Sequence, residues 1–529
     1  MRLKRLFVKT LSTVSTQNMS EPSKHVNKWL ITLTVMIPAF MEIVDTSIAN
    51  VALPHMQGNL NAGTDEVTWV LTSYLISNAV VMPMTGWLAR VFGRKRFLIA
   101  CIIIFTCASV LCGAAPNLAT LVFFRIVQGA AGGALIPMSQ AIMMESFPPR
   151  EGGMAMAIFG IGAMFGPVVG PTLGGWITDN LSWRWIFYIN IPVGILAVIM
   201  TKCFIFDPSY LKRQKARIDY WGLALLVIGI GSLQVVLDKG QQDDWFNSSF
   251  IIAFTIITAI ALPLFVYAEL KHDHPIVNLR LFRDTAFAGG NAIMFMVGFC
   301  LYGSVVMLPL FLQTLMGYSA TMAGLVMAPG GVASVIVLPI VGAYIQRRSG
   351  KRIILAGLLI GALSMYFMRG FTLEASYWDF VWPRVMLGVS LGMIFPPLSR
   401  ATLACVPKVE MGNATGMFNL LRNIGGSVGI ALSATLLTRL AQFNQVNLVG
   451  HVTEYSPIVQ SRLHELKEAA MARGMDAVTA QQTALEIISR IVAREAGLLS
   501  YNYIFWIIGL AFLSIIPLLF LLGKPRYGA

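Results

Sequence analysis

The sequence has little charge and few cysteines. Asp, Glu, Lys and Arg make up 12% of its 529 residues, whereas about a quarter of the residues in an ordinary soluble domain are charged. Its six cysteines lie in or beside apolar stretches, without the paired spacing of a metal site or a disulfide framework. We therefore exclude an ordinary soluble protein and expect the cysteines to pack as small hydrophobic residues, with no metal site.

A nucleotide-binding signature is also missing. The sequence contains no Gly-x4-Gly-Lys-Ser/Thr phosphate loop and no polar segment large enough to bind a nucleotide. We expect neither an enzyme nor a nucleotide-driven pump, and no cofactor. Transport by such a chain must draw its energy from an ion gradient, and isolated acids with basic partners favour protons over sodium.

Long apolar stretches are abundant instead. Hydrophobic residues make up 56% of the chain, and its mean hydropathy is +0.70. A helix needs ~20 apolar residues to cross a bilayer, and the short alternating strands of a membrane barrel are absent. The sequence predicts an all-α polytopic membrane protein with fourteen spans, which begin near Trp29, Val67, Phe97, Leu121, Gly153, Arg184, Tyr220, Phe250, Phe287, Ala320, Ile353, Phe380, Met411 and Ser500.

The basic residues follow the predicted topology. The net charge of +14 collects in alternate loops, and the positive-inside rule then places both termini in the cytoplasm. Because this basicity serves topology, we expect the lipid bilayer as surroundings and no nucleic acid as partner. The basic clusters lie within residues 2–28, 90–96, 212–217, 271–283, 347–352 and 524–526.

Two distant parts of the chain repeat each other. The segment from Val81 to Gly86 recurs from Val337 to Gly342, and each copy is followed by a Gly and a basic run. The chain is therefore a tandem duplication of a six-span unit with two extra spans between the copies. Such repeats are an architecture of secondary transporters, whose substrate site lies between the halves. A second matching set is Val122, Arg125, Gly129, Gly133 and Pro137, which recur as Val381, Arg384, Gly388, Gly392 and Pro396.

The duplication divides the chain into seven parts. A cytoplasmic tail, residues 1–28, precedes an N-terminal six-helix bundle, residues 29–205. Residues 206–283 hold the two inserted spans and their flanking cytoplasmic loops, and residues 284–438 hold spans 9 to 13. A long periplasmic loop, residues 439–499, precedes the last span, residues 500–522, and a cytoplasmic tail, residues 523–529.

The long loop is polar and has a helical pattern of its own. Between Ser461 and Ala496 it reads as two helical stretches that are broken at Gly474. A loop of this length either binds a partner or caps the outer mouth of the transporter. Both interpretations stay open at the level of sequence.

A few ionisable residues lie inside predicted spans, where charge is costly and usually functional. Span 1 carries Glu42 and Asp45, which lie on neighbouring parts of one helix face. A carboxylate and a guanidinium in a common cavity could form a proton-coupled switch or a permanent ion pair. We expect the switch for Asp45 with Arg125 of span 4, and a structural ion pair for Arg384 of span 12. For Glu42 both interpretations are open.

Span 5 carries a ridge of glycines. Gly162, Gly166, Gly170 and Gly174 recur every fourth residue, so that another helix backbone can approach closely along one face. Pro167 and Pro171 each remove a backbone donor, which predicts a bend. Gly175 completes the segment.

The motifs together resemble the major facilitator superfamily, within it the fourteen-span drug:proton antiporters, and most closely the EmrB-type multidrug export proteins. Residues 40–54 are similar to the span 1 signature of that family, residues 125–129 to its span 4 motif, residues 162–175 to its antiporter motif and residues 183–194 to its start of span 6. The loop motif between spans 2 and 3 includes Gly86, Gly93, Arg94 and Lys95. Arg90 departs from it, because the superfamily usually has Asp there, and this departure argues against a charge lock at that position.

The resemblance implies a fold and several roles. The fold is two six-helix bundles related by pseudo-two-fold symmetry, plus two inserted helices. Asp45 and Arg125 would couple transport to protons, with Glu42 as a further candidate. Within span 5, a gate or packing hinge would form at Gly166, Pro167, Gly170 and Pro171. A periplasmic adaptor (membrane-fusion) protein and an outer-membrane channel would be partners in the inner membrane of a Gram-negative bacterium. Further candidates for the cavity are Asn50, Gln128, Gln140, Arg384 and Arg422.

We predict a proton-coupled inner-membrane antiporter that exports hydrophobic or amphiphilic toxic compounds. One alternative is a proton-coupled symporter that imports a nutrient, which the span 5 motif opposes. Another is a membrane sensor or scaffold with a transporter-derived fold, which the presence of Asp45 and Arg125 opposes.

Overall fold

The computed structural model describes residues 27–148, 151–208, 219–272, 275–346, 350–453 and 455–522. Within these ranges it is helical and contains no strand. Thirteen of the described helices are long and apolar enough to cross a membrane, and Gly152–Asn180 is a further long helix between them. The prediction of an all-α, fourteen-span membrane protein is confirmed. Of the six basic clusters used for orientation, those at residues 212–217 and 524–526, and the N-terminal one except for Lys28, lie outside the described residues.

The spans are numbered in chain order. They are Lys28–Leu60 (span 1), Asp65–Phe92 (span 2), Arg94–Gly113 (span 3), Leu118–Ser146 (span 4), Gly152–Asn180 (span 5), Trp185–Phe204 (span 6), Tyr220–Lys239 (span 7), Ser249–Lys271 (span 8), Thr285–Thr314 (span 9), Thr321–Ile345 (span 10), Gly350–Met368 (span 11), Tyr377–Leu403 (span 12), Lys408–Val449 (span 13) and Ala477–Phe520 (span 14).

Polar side chains fix several span ends by bonding the backbone N–H groups that the first helical turn leaves free. The Asn27 side chain accepts a hydrogen bond from the N–H of Trp29 at 3.0 Å at the start of span 1. Asp284 accepts bonds from two N–H groups at the start of span 9, and Asp379 bonds the Ser376 N–H at the start of span 12. Gly93, with φ +85°, allows the sharp turn between spans 2 and 3.

Spans 1 to 6 form an N-terminal bundle and spans 9 to 14 form a C-terminal bundle. Spans 7 and 8 pack against each other, and span 7 also contacts spans 2 and 13, so that it touches both bundles. Only 17% of the apolar window of span 8 is buried, against 72% for span 12. Span 8 is therefore peripheral, whereas span 12 lies in the interior of the protein.

The described contacts between the two bundles lie toward one end of the molecule, which we call the basic end. This end carries the basic cluster of residues 90–96, around Gly93 between spans 2 and 3, and the start of span 13 at Glu410. There Gly86 packs against Asn413, and the rings of Phe159 and Phe395 stack with centroids 6.3 Å apart. The bundles are thus joined at the basic end.

Spans 13 and 14 continue into a helical hairpin, residues 439–499. The helix of span 13 runs from Met411 to Val449 (39 residues) and that of span 14 from Ala477 to Ser514 (38 residues), both far longer than the ~20 residues that cross a bilayer. Between them lies the helix Pro457–Met471, which ends before Gly474 with φ +89°. The predicted break at Gly474 is confirmed, but the second stretch is continuous with span 14, and no break marks residue 499.

Candidate functional site

Asp45 lies at the centre of a buried polar network in the N-terminal bundle. Its Oδ2 accepts a hydrogen bond from Arg125 Nη1 at 2.7 Å. Its Oδ1 accepts bonds from Gln128 Nε2 at 2.9 Å and from Asn190 Nδ2 at 2.7 Å. Asp45 is 3% exposed and Arg125 is 0% exposed. The pairing expected from the sequence is therefore present and enclosed by protein.

Spans 4 and 6 supply the partners of Asp45, and span 3 supports one of them. Arg125 and Gln128 lie one helical turn apart on span 4, and Arg125 Nη1 also donates to Gln128 Oε1 at 2.9 Å. Asn190 is in span 6 and donates a second bond to Ser109 Oγ of span 3 at 2.9 Å. Asn190 lies within the motif at residues 183–194, in which the sequence predicted no role for it, and Ser109 was not predicted at the site.

The guanidinium of Arg125 is held by more than the ion pair. Its Nε donates to the carbonyl of Val70 at 3.1 Å. Its Cζ lies 4.1 Å from the ring centroid of Tyr74, a cation–π geometry that stabilises a buried positive charge. Nη2 is buried and has no hydrogen-bond partner among the described residues. Of the five N–H groups of the guanidinium, three thus have an acceptor in the described part of the chain and the two on Nη2 do not.

Glu42 lies beside this network and is connected to it through Tyr74. The Tyr74 hydroxyl donates to Glu42 Oε1 at 3.2 Å, and Asn78 Nδ2 donates to the same oxygen at 2.9 Å. Arg422 of the C-terminal bundle interacts with Glu42 electrostatically, without a hydrogen bond between the two side chains. Glu42 is therefore a buried acid with neutral hydrogen-bond donors, between the Asp45 network and the other bundle.

The glycines of span 5 pack against span 1, the helix that carries both acids. A Cβ added at Gly162, Gly166 or Gly170 would overlap Met36, Ile43 or Ser47 respectively. At Gly174 it would lie 3.0 Å from Ile48 Cγ2. Gly175 has no atom within 4 Å of such a Cβ. The helix is continuous through residues 167 and 171, whose side chains lie outside the described residues.

A second face of span 5 contacts the C-terminal bundle. A Cβ added at Gly153 would lie 3.3 Å from Ile345 of span 10, and one at Gly160 would lie 3.0 Å from Leu338. Span 5 therefore lies between span 1 and the opposite bundle. A change in the packing of span 1 would be transmitted directly to the contact between bundles.

The loop motif at the basic end is held by polar contacts. Arg94 forms two hydrogen bonds with the Glu145 carboxylate, at 2.6 and 2.7 Å. Lys95 Nζ donates to the carbonyl of Lys202 at 2.6 Å, and its N–H donates to Asp207 at 2.8 Å. These bonds attach the turn after Gly93 to spans 4 and 6 of the same bundle.

Arg90 does form a charged contact, contrary to what its departure from the family motif suggested. Arg90 Nη1 donates to Glu410 Oε1 at 2.8 Å, and Asn413 Nδ2 donates to the other oxygen of Glu410 at 2.6 Å. Glu410 immediately precedes the helix of span 13, so the ion pair connects the two bundles. The basic residue is on span 2 and the acid is on the opposite bundle.

The remaining cavity candidates have different surroundings. Gln128 belongs to the Asp45 network. Gln140 is fully buried and accepts a bond from Asn419 Nδ2 at 2.7 Å, so it joins the bundles near the basic end. Asn50 is exposed and donates to the Thr46 carbonyl of its own helix. Arg422 is buried, and its hydrogen bond to Asn423 is long, at 3.5 Å.

Arg384 does not form the structural ion pair that we expected from the sequence. Its Nε and Nη1 atoms are buried and have no hydrogen-bond partner in the described ranges. Arg384 is the repeat counterpart of Arg125, so the two halves treat the same arginine differently.

The chemistry available at the site is proton binding and charge pairing. Among the described residues, no group of three or more His, Cys, Asp or Glu side chains is placed to hold a metal ion. The titratable groups that remain are two buried acids on one helix, next to a guanidinium. The fold and this site define a helical membrane protein with two related bundles and a buried acid–arginine network, the design of a secondary transporter.

Comparison with known proteins agrees with this class. The family model of the Major Facilitator Superfamily matches residues 35–430, and the chain belongs to this superfamily, whose members are transporters and not enzymes. The chain is 35% identical over 503 residues to the multidrug export protein EmrB of Escherichia coli K12, covering 94% of this chain and 96% of the relative. It is 37% identical over 501 residues to the fatty acid resistance protein FarB of Neisseria gonorrhoeae, with the same coverage of both chains.

The fold is also that of solved transporters. The proton:xylose symporter XylE, solved with 6-bromo-6-deoxy-D-glucose, superposes with a TM-score of 0.58 at 13% sequence identity. The match covers 93% of this chain and 94% of that one. At this identity the likeness concerns the fold alone, and it agrees with the predicted two-bundle architecture.

Proposed function

We propose that this protein is a proton-coupled antiporter that exports hydrophobic or amphiphilic toxic compounds across the inner membrane. The observation that carries the proposal is the enclosed network of Asp45, Arg125, Gln128 and Asn190, because a buried acid–arginine pair in a transporter fold is a functional site by default. The names of the relatives, a multidrug export protein and a fatty acid resistance protein, support export of amphiphilic compounds.

In this proposal Asp45 and Glu42 act as a coupled pair of acids. Proton binding at Asp45 would weaken its bond to Arg125, and the freed guanidinium would remain stacked on Tyr74. Because the Tyr74 hydroxyl also bonds Glu42, such a change is felt at the second acid. Glu42 lies toward the other bundle and would exchange the proton as the bundles separate.

Movement of span 1 would reach the bundle interface through span 5. The glycine ridge lets spans 1 and 5 approach closely, and the second face of span 5 contacts span 10. Proton binding on span 1 would therefore alter the contacts that hold the bundles together at the basic end. We propose that these contacts open and close as the protein alternates between its two states.

Orientation and organisation follow the positive-inside rule. The basic end would face the cytoplasm, with both termini on that side, and residues 439–499 would lie in the periplasm. The seven parts proposed from the sequence remain our description of the organisation. With the bundles joined at the basic end, the described structure corresponds to a state closed toward the cytoplasm.

The periplasmic hairpin would be the contact for an adaptor protein of a tripartite pump. It is helical, and its tip carries exposed apolar residues, including Tyr455 at 91% exposure and Ile458 at 81%. Exposed apolar side chains rimmed by charge are typical of protein interaction sites. An adaptor and an outer-membrane channel would carry the substrate past the outer membrane.

The experiment that tests the function is proton exchange in vesicles containing the purified protein. Adding an amphiphilic drug to the wild type should drive proton movement, and Asp45→Asn should abolish it while the variant still folds and inserts. Asparagine keeps the shape of the side chain but cannot titrate. Drug-driven proton exchange at the wild-type rate in Asp45→Asn would reject the coupling role, and no exchange with any amphiphile in the wild type would favour a sensor or scaffold.

A further inference from the structure

Arg384 is a partly buried cation without a charged partner among the described residues. Its Nε and Nη1 have no partner in the part of the chain that the structure describes. Burying a guanidinium without a counter-charge is costly, which makes Arg384 a candidate for binding an anion. The residue is intermediate in exposure, so the described protein does not fully enclose it.

The C-terminal bundle contains no acid that could serve as its partner. Spans 9, 10 and 11 have no Asp or Glu, and in span 13 the one acid, Glu410, lies at the basic end before the helix Met411–Val449. In span 12 the one acid, Asp379, bonds Ser376 at the helix start. The acids of the span 14 helix, Glu486 and Glu495, precede residue 500 in the hairpin. The bundle that holds Arg384 is thus free of membrane-interior carboxylates.

The repeat shows which partners have been lost. The offset that carries Val81 onto Val337 also carries Tyr74 onto Gly330. The packing agrees, because Gly129 contacts the Tyr74 carbonyl in one bundle and Gly388 contacts the Gly330 carbonyl in the other. The Tyr74 ring covers Arg125, whereas the corresponding position beside Arg384 is Gly330, which has no side chain. A Cβ at Gly330 would lie 2.9 Å from Arg384 Cγ and 3.1 Å from Nε.

Arg384 also lies on the face of span 12 that meets the other bundle. Trp382, which is 64% exposed, marks the outward face, and a residue two positions on points about 200° away from it. Phe395 lies eleven residues after Arg384, about three helical turns, and therefore shares its face. Because Phe395 stacks on Phe159 of the N-terminal bundle, Arg384 faces the interface between bundles, farther from the basic end.

We propose that Arg384 binds the anionic headgroup of an amphiphilic substrate, most simply a carboxylate. Its guanidinium fork matches the two oxygens of a carboxylate, and such charge-assisted bonds are strong where water is excluded. The residues that follow on the same face, Leu391 and Phe395, are apolar and buried, so the guanidinium lies at the edge of an apolar region. The proposal rests on the transport function proposed above and adds the charge class of the substrate.

The test is equilibrium binding to purified protein in nanodiscs of zwitterionic lipid. Radiolabelled dodecanoate and dodecyltrimethylammonium share an alkyl chain and carry opposite charges. In Arg384→Gln the Kd for dodecanoate should rise about tenfold, because the variant loses a charge-assisted contact, while the Kd for the cation stays the same or falls. Arg384→Lys, which keeps the charge without the fork, should lie between wild type and Arg384→Gln.

A matched control is Arg369→Gln, which removes one positive charge at an exposed position over the Trp506 ring. It should leave both affinities unchanged. An unchanged Kd for dodecanoate in Arg384→Gln, or an equal loss of both ligands, would overturn the proposal. Without ligand, Arg384→Gln should melt at the wild-type temperature or above, and a lower melting temperature would show that Arg384 has a structural partner.

Anionic lipid is the other source of the same chemistry. If dodecanoate keeps its affinity when phosphatidylglycerol is added to the nanodiscs, the occupant is a dissolved amphiphile. If the lipid displaces dodecanoate from the wild type but has no effect on Arg384→Gln, the anion site stands and the headgroup is that of a lipid.

The two proposals can fail separately. Binding without drug-driven proton exchange would reject the antiporter function and leave the anion site intact, whereas proton exchange without an effect of Arg384→Gln on binding would reject the anion site alone.

Discussion

The two bundles contain the same arginine in opposite surroundings. Arg125 bonds Asp45, Gln128 and a backbone carbonyl, and it stacks on Tyr74. Arg384, at the repeat position, has no hydrogen-bond partner for its buried Nε and Nη1 among the described residues. The N-terminal bundle thus balances its charge internally, whereas the C-terminal bundle leaves a charge open. Duplication supplied two related units, and we propose that the difference between them separates proton coupling in one from anion recognition in the other.

The largest effect should follow from breaking the ion pair between Asp45 and Arg125 in the N-terminal bundle. Arg125→Ala leaves Asp45 as an unpaired charge in a buried site, which should lower the free energy of unfolding by about 3–5 kcal/mol and stop drug-driven proton exchange. The matched change Arg384→Ala removes a charge that has no partner and should not destabilise the protein in the same way. Thermal unfolding of both variants in detergent measures the contrast. Equal destabilisation of the two variants would contradict the comparison.

A second large effect should come from the contact between spans 1 and 5. Gly166→Leu places a side chain where even a Cβ would overlap Ile43, and overpacking of this kind costs about 1–3 kcal/mol. The variant should be unable to exchange inward- and outward-facing states. Labelling of engineered cysteines from both sides of the membrane measures this, and one face should stay permanently inaccessible.

The control for this prediction is in the same helix. Gly175→Leu introduces the same side chain where nothing lies within 4 Å of the added Cβ, so transport should be retained. If Gly166→Leu alternates like the wild type, the ridge is only a packing seam that tolerates bulk. If both leucine variants freeze, the effect belongs to helix propensity and not to the contact with span 1.

The features that could be predicted from the sequence are those that short-range patterns encode. Apolar length fixed the spans, and the pairing of Asp45 with Arg125 followed from the rarity of charge in a bilayer. The partners Tyr74, Ser109 and Asn190 could not be found in this way, because tertiary packing brings them together from three other spans. Gln140 was expected in the cavity, yet it is used to join the bundles.

The partner of a charged residue was the other feature that the sequence did not predict. Arg90, where the superfamily usually has Asp, suggested that an ion pair was missing at this position. Comparison with a motif examines only one of the two residues that form a contact. The compensating acid, Glu410, is in the opposite bundle and far away in sequence. The sequence signal for this ion pair, in which the basic and acidic positions are exchanged, was the acid near the start of span 13.

The ion pair between Arg90 and Glu410 gives a prediction with a smaller expected effect, which concerns how the two bundles are joined. Arg90→Asp restores the residue usual in the superfamily but places two carboxylates opposite each other. The ion pair is partly exposed, so its loss should cost about 1 kcal/mol or less, yet it should shift accessibility toward opening at the basic end. Adding Glu410→Arg to the same chain should restore the wild-type labelling pattern, because the pair is rebuilt with the opposite polarity.

A double variant that stays as open as Arg90→Asp would show that the ion pair does not join the bundles. The matched control is Arg94→Asp, which breaks a contact within the N-terminal bundle, to Glu145. Its effect should not be repaired by Glu410→Arg. The two variants therefore separate contacts between the bundles from contacts inside one of them.

The smallest effect on transport itself should come from the hairpin, which only the C-terminal bundle has. Spans 5 and 6 are joined by four residues, 181–184, whereas spans 13 and 14 extend into residues 439–499. Replacing residues 461–496 with a short flexible linker should leave proton-coupled transport in vesicles unchanged, because the buried network lies in the other bundle. In whole cells the same deletion should remove resistance and crosslinking to a co-expressed adaptor, since delivery past the outer membrane requires docking. Equal resistance with and without the hairpin would reject the docking role, and loss of transport in vesicles would assign the hairpin to gating of the outer mouth.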